Sequence, residues 1–233
     1  MSEQEKTLNT QQALESALQS HKAGRLPEAE TTYQQILQEE PDQPVALHLL
    51  GVVAHQVGKN DIAVDLISRA LAVKPDYAEA HNDLGNALRV LGRLNEARGS
   101  YHQAVNLKPD LAEAHNNLGV VLRDFGELED AVSSFRKAIS IDSNYVDAHS
   151  NLGLTLHSLG NPEEAVLSFR KALVLNPDFT EMHNYLGVVL RELGKLEDAV
   201  ASYQKALAIK HDNAEAHNNL GLALFELGRS EEA

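Results

Sequence analysis

The chain has no cysteine and no tryptophan, only 5% aromatic residues, and 20 Lys and Arg against 34 Asp and Glu, a formal charge of −14. Without cysteine there is no disulfide framework and no thiolate to hold a metal or act as a nucleophile, which fits a reducing compartment. The shortage of base argues against a nucleic-acid reader, because binding the phosphate backbone requires an excess of Lys and Arg. No apolar run approaches the ~20 residues of a membrane span. The opening Met-Ser-Glu-Gln-Glu-Lys lacks the basic-then-apolar order of a signal peptide. What is present is 233 residues with 43% hydrophobic content, too apolar for disorder and long enough for one or two ordinary domains. The expectation is a soluble, cytoplasmic protein that engages neither nucleic acid nor membrane.

Glycine carries the main signal. Thirteen of the fourteen glycines fall into two series, and only Gly99 stands outside them. One runs from Gly24 through Gly58, Gly92, Gly126, Gly160 and Gly194 to Gly228; the other runs from Gly51 through Gly85, Gly119, Gly153 and Gly187 to Gly221, each preceded by leucine. Both have an interval of 34 residues, and a fixed period of this length marks a stacked repeat array. With Leu-Gly at positions 7 and 8, the units are 10–43, 44–77, 78–111, 112–145, 146–179 and 180–213, followed by a partial unit 214–233. Position 20 is then always alanine, position 24 is Tyr33, Ile67, Tyr101, Phe135, Phe169 and Tyr203, and position 27 is alanine from Ala70 onward.

Each unit reads as two helices. In the fourth, Leu118, Val121, Leu122 and Phe125 recur at helical steps, Gly126 supplies a left-handed stop, and Ala131, Phe135, Ala138 and Ile139 form a second apolar stripe. All seven prolines fall at element boundaries in this register. The glycine at position 8 sits inside a helix, where it costs about 1 kcal/mol relative to alanine. Close approach of the two helices, permitted by that glycine and the methyl at position 20, is the expected compensation.

Leu-Gly at 7 and 8, Gly at 15, Ala at 20, an aromatic at 24, Ala at 27 and Pro at 32 resemble the tetratricopeptide repeat, over residues 10–233. The resemblance implies an all-α fold, a right-handed α-solenoid of stacked helix-turn-helix repeats preceded by a polar tail at 1–9. The family's usual tryptophan is replaced by Ala13, Leu47, His81, His115, His149, His183 and His217. Ligands of one metal ion must converge within a few ångströms, whereas side chains of successive repeats point in parallel, so these histidines read as helix-packing groups. No P-loop, dinucleotide fingerprint, Gly-x-Ser-x-Gly elbow or His-Glu-x-x-His is present, so no catalytic residue, metal or cofactor is assigned.

Acids at position 2 (Glu79, Glu113, Asp147, Glu181, Glu215) stand three residues after Asp76, Asp110, Asn144, Asp178 and Asp212, the spacing of a capping box. Position 5 gives Asn82, Asn116, Ser150, Asn184 and Asn218, and position 6 gives Asp83, Asn117, Asn151, Tyr185 and Asn219. Since first helices line the concave surface in this family, the resemblance implies a ladder of amides facing a groove. Such a ladder holds extended peptide backbones in the repeat arm of O-linked N-acetylglucosamine transferases, whose repeat style Asn116–Gly119 resembles. A solvated face, or hydrogen bonding from repeat to repeat, is the alternative for these amides. Position 12 carries Arg89, Arg123, His157 and Arg191, a basic strip suited to acidic ligand side chains or to pairing with Asp124 and Glu192. Tyr185 and Phe225 lie outside the usual aromatic positions.

The expected function is a non-catalytic scaffold binding an extended peptide or partner protein in the groove. The alternative is the substrate-recognition arm of a larger enzyme, such as a glycosyltransferase, continuing beyond Ala233. Ser230-Glu231-Glu232-Ala233 begins a second helix, so Leu220, Leu224 and Leu227 are expected partly uncovered, which also predicts self-association through that face.

Overall fold

The computed structural model describes residues 3–229, and the side chains of 9–229. The start of a final helix at Ser230–Ala233 lies outside the described residues. Among the described residues there are thirteen helices and no strand. They are α1 (Glu3–Lys22), α2 (Leu26–Glu39), α3 (Pro44–Gln56), α4 (Asn60–Val73), α5 (Ala78–Val90), α6 (Leu94–Leu107), α7 (Ala112–Asp124), α8 (Leu128–Ile141), α9 (Val146–Ser158), α10 (Pro162–Leu175), α11 (Thr180–Glu192), α12 (Leu196–Ile209) and α13 (Ala214–Glu226). Residues 3–9, expected as a polar tail, belong to α1.

Two compact units divide at Asn117 and Leu118. In the first, hairpins α1–α2, α3–α4 and α5–α6 follow one another, with α2 packed on α3 and α4 on α5. In the second, α8 packs on α9, α9 pairs with α10, α10 packs on α11, α11 pairs with α12, and α12 packs on α13. The hairpin turn is the same each time. Gly24, Gly58, Gly92, Gly126, Gly160, Gly194 and Gly228 have φ between +71° and +80°, a left-handed conformation that ends the first helix. The next residue's N–H then bonds back five residues, as Lys59 does to the Ala54 carbonyl at 2.8 Å.

The core is built from small residues with one large side chain per hairpin. Ala29, Ala63, Ala97, Ala131, Ala165 and Ala199 are fully buried, as are Tyr33, Ile67, Tyr101, Phe135, Phe169 and Tyr203 at position 24. Position 3, not singled out in the sequence, is a second buried alanine column: Ala46, Ala80, Ala114, Ala148 and Ala216. The glycine at position 8 makes room for the large side chain at position 24, rather than simply admitting the methyl at 20. A Cβ on Gly85, Gly119, Gly153 or Gly187 would stand 2.5–2.7 Å from a ring carbon of Tyr101, Phe135, Phe169 or Tyr203, and one on Gly51 would stand 2.5 Å from Ile67 Cγ1. So close an approach leaves no space for any side chain.

Two sequence expectations are corrected. The capping box does not form at α5, α9 or α11: Tyr77, Tyr145 and Phe179 are the N-cap residues, and none caps with its side chain. At Tyr77 the reason is packing, since its ring lies edge-on to His48 at 4.7 Å and beneath Lys74 Nζ at 4.6 Å, which leaves Asp76 in the preceding turn. At α13 the cap is Asn213, accepting from the Ala216 N–H, with Asp212 in the turn. Leu224, expected to be partly uncovered, is buried like Leu88, Leu122, Leu156 and Leu190, in a helix that packs on α12 and α11. The exposed apolar side chains of α13 are Leu222 and Phe225.

Gly153→Ala is expected to lower stability by up to about 2 kcal/mol in urea unfolding, because overpacking at ~1–3 kcal/mol exceeds a helix-propensity gain of ~1 kcal/mol. Gly99→Ala, inside α6 with open space where its Cβ would go, is expected to gain about 0.5–1 kcal/mol. Burial pushes the Tyr33 hydroxyl up to about 12, and that oxygen has no hydrogen-bond partner. The unfolded chain therefore loses this proton at lower pH than the folded one, so stability declines as pH rises from about 10 toward 12. Tyr33→Phe is expected to flatten that decline in thermal melts and to cost nothing at pH 8.

Candidate partner-binding face of the first helices

The first helices carry every candidate residue, and the structure sorts them by column. Position 5 turns inward: Asn82, Asn116, Ser150 and Asn184 are only 3–5% exposed, and Asn218 alone is exposed. Three of the expected groove amides, Asn82, Asn116 and Asn184, are therefore not surface groups. Position 5 faces the following hairpin, where a buried amide must find a partner. It finds one at position 6 of the next repeat, 35 residues on. The Asn117 side-chain N–H donates to Asn82 Oδ1 at 3.0 Å, and that of Asn219 donates to Asn184 Oδ1 at 3.1 Å. His48 Nε2 donates to Asp83 Oδ2 at 2.7 Å in the same relation.

In the first unit these bonds widen into a network. Asn117 also donates to Asn86 Oδ1 at 3.1 Å, which accepts the Tyr101 hydroxyl at 2.8 Å, and Asn82 donates to Glu113 at 3.1 Å. Glu79, freed from any capping role, takes Lys108 at 2.8 Å, and that ammonium holds its carboxyl below the usual range.

In the second unit the column breaks once. Ser150 donates to the Val146 carbonyl of its own helix at 3.0 Å, and the next position 6 is Tyr185. Its ring lies nearly parallel to Phe169 at 6.4 Å and remains 41% exposed. Asn151 and Asn219, at the same position of α9 and α13, are half-buried. Tyr185 thus stands on this face between two amides.

The basic strip is largely spent on the following repeat. Arg191 donates to Glu226 at 3.0 Å, His157 Nε2 to Glu192 at 2.6 Å, and Arg123 to Asn151 Oδ1 at 3.2 Å. Arg89 is exposed, with its guanidinium beside the Tyr101 hydroxyl; burial pushes that hydroxyl up to about 12 against the pull of the arginine. The histidine column has its own structural task. Nε2 of His81, His115, His149, His183 and His217 lies 2.8–3.0 Å from the carbonyl six residues earlier, at Pro75, Pro109, Ser143, Pro177 and His211. Each ring therefore pins the turn before its own helix. Among the described residues no group of three or more His, Asp or Glu is arranged to hold a metal ion, and no helix is long and apolar enough to cross a membrane.

Residues that single-column reading missed are Asn86, His48 and Glu226, whereas Glu192 was expected as a partner of the basic strip and is one. The usable signal was the 35-residue offset. Position 5 and the next position 6 depart from asparagine together, as His48 with Asp83 and Ser150 with Tyr185.

Family models described as "TPR repeat" match residues 85–124, 121–160 and 187–228, and one described as "Tetratricopeptide repeat" matches 146–179. No curated protein matches significantly. Among solved structures, MamA is 26% identical with a TM-score of 0.62, covering 69% of this chain and 94% of MamA. YrrB, a TPR protein with an unusual peptide-binding site, is 20% identical with a TM-score of 0.67, covering 80% and 96%. Pseudomonas aeruginosa pilF is 16% identical with a TM-score of 0.82, covering 91% and 97%. These matches carry the repeat fold, and none of them is to an O-linked N-acetylglucosamine transferase arm.

Asn184→Ala is expected to cost about 1–2 kcal/mol by leaving Asn219 without its acceptor, against a change within about 0.5 kcal/mol for Asn218→Ala. Urea unfolding of Asn184→Ala, Asn219→Ala and the double variant checks this, with a coupling of about 0.5 kcal/mol or more expected between the pair.

Proposed function

The chain belongs to the tetratricopeptide repeat family, and from that premise we propose that it is a non-catalytic, cytoplasmic scaffold that binds an extended peptide or partner protein on its first helices. The observation that carries this reading is Tyr185, a large aromatic side chain left 41% exposed in a column that from Asp83 onward otherwise holds only Asp or Asn. A ring in that setting offers large contact area at low entropic cost, the property that makes tyrosine common at binding hot spots. Its flanking amides are held by neighbours and so are pre-oriented, which lowers the cost of binding. Asn219 gives one donor to Asn184, and an amide side chain has a second donor and a carbonyl for a ligand backbone. Asn151 stands in the preceding repeat with Arg123 beside it, whereas Asn117 has both side-chain N–H groups engaged by Asn82 and Asn86.

The basic strip adds less charge to this face than its sequence suggests, because His157 and Arg191 meet carboxylates of the next repeat. Amide and aromatic contacts therefore carry more of the binding than ion pairs do. At about 0.5–1.5 kcal/mol net per hydrogen bond, several rungs are needed even for micromolar affinity. YrrB, with its peptide-binding site, offers an analogy of fold for this mode.

An array of synthetic 12-residue peptides, screened with labelled protein and followed by calorimetry of the binders, tests the reading. Tyr185→Ala is expected to weaken binding about tenfold, on the scale of 1–2 kcal/mol for an aromatic anchor, with circular dichroism checking that the helices persist once the ring is lifted from Phe169. Replacing Asn151 and Arg123 together is expected to abolish it. Binders indifferent to both variants would place the ligand on another surface.

A further inference from the structure

A second candidate site lies on the other helices of the second unit. Between α10 and α12, the second helices of neighbouring hairpins, runs a groove of about 640 Å³ floored by Leu186 and Leu190 of α11. The repeat register shows why it is apolar here. Positions 22 and 29 are Thr31 and Gln38, Asp65 and Ala72, Gly99 and Asn106, and Ser133 and Ser140 in the first four repeats. In the fifth they become Leu167 and Val174, and in the sixth Ala201 and Ala208. The two alanines and Ile209 form one wall, and Leu173 and Val174 the other. Val174 is 74% exposed, and Leu167, two turns earlier on α10, is 66% exposed. Single apolar residues on a surface need no explanation, but a groove lined by them signals an occupant.

Shape and charge specify that occupant. The α12 wall runs from Asp198 to Ile209, about 16 Å at ~1.5 Å per residue, which is three turns of a helix. A groove between two helices suits a third helix that offers apolar side chains at i, i+4 and i+7. Lys205 projects into it with no ion-pair partner among the described residues, while Arg170 and Asp198, 3.4 Å apart, close one end. At the other end stands Asp178, also without an ion-pair partner among the described residues, near the C-termini of α10 and α12. Helix C-termini carry partial negative charge, so this end favours the N-terminus of a docked helix. We propose that the groove docks a short amphipathic helix of a partner protein, with its N-terminus at Asp178, an apolar stripe against Val174 and Ala208, and a carboxylate on Lys205. The site is separate from the Tyr185 face and does not rest on it.

Panning the full chain against a displayed library of lactam-bridged helical 14-residue peptides tests this. Selected sequences are expected to carry apolar residues at i, i+4 and i+7 with an Asp or Glu between them. Their Kd is expected to rise at least tenfold with Val174→Asp, an exposed position whose folding is checked by circular dichroism. Lys205→Glu is expected to weaken them several-fold, and changing the peptide's acid to lysine to restore binding, while Tyr185→Ala has no effect. The proposal is overturned if no peptide is enriched, or if selected peptides bind Val174→Asp as tightly. A central proline that leaves binding intact overturns it equally. So does a concentration-dependent dimer that Val174→Asp dissolves, since the occupant would then be a second copy.

Discussion

The contact between the glycine at position 8 and the side chain at position 24 sets the geometry of the five hairpins from α3–α4 to α11–α12, while α1–α2 has Ala17 at that position against Tyr33. With a ring or isoleucine carbon 2.5–2.7 Å from where a Cβ would be, a side chain at position 8 of these hairpins would have to displace the one at position 24. Alanines at positions 3, 20 and 27 fill most of the remaining core, with Ile36 and Met182 as the larger exceptions. A core of alanine and one large residue per hairpin is thin, and it gains stability by repetition rather than depth. The left-handed glycine that closes the first helix then fixes where the second begins, so pairing and turn are both set by residues without side chains.

Because the hairpins are alike, polar side chains between them can repeat as well. Position 5 bonds to the next position 6, position 12 to the next position 13, and the histidine ring at position 4 to the preceding turn. Each of these groups would be costly if buried alone and is satisfied only by the neighbouring repeat or turn. Packing and polar satisfaction thus act on different neighbours: the ring closes a hairpin on itself, while amides and ion pairs tie it to the next.

Much of this was legible in the sequence because it is periodic. The 34-residue interval, the two glycine series and the buried alanine at position 20 could be read directly, and they led to the helices observed. The side on which a residue lies was harder to read. Asn82 and Asn117 look equivalent in sequence, yet one step along a helix turns a side chain by about 100°, enough to bury the first and leave the second at the surface. The capping residues were misplaced by a single position for a related reason, since Tyr77 is drawn onto His48 and takes the place expected for Asp76. The apolar groove between α10 and α12 arises from departures at positions 22 and 29, which a search for consensus columns passes over.

The exchange of an asparagine pair for Ser150 and Tyr185 alters how the second unit holds together. In a linear array, cooperativity depends on the free energy linking each element to the next, and any weak link divides the chain into blocks that open separately. Between α9 and α11 the position 5–6 link is no longer a buried hydrogen bond, and the ring in its place rests on Phe169 of α10. Coupling at that junction becomes more apolar than at its neighbour, so it weakens on cooling while a hydrogen-bonded link is less affected. The same substitution that exposes an aromatic ring therefore also changes the temperature response of the link between α9 and α11.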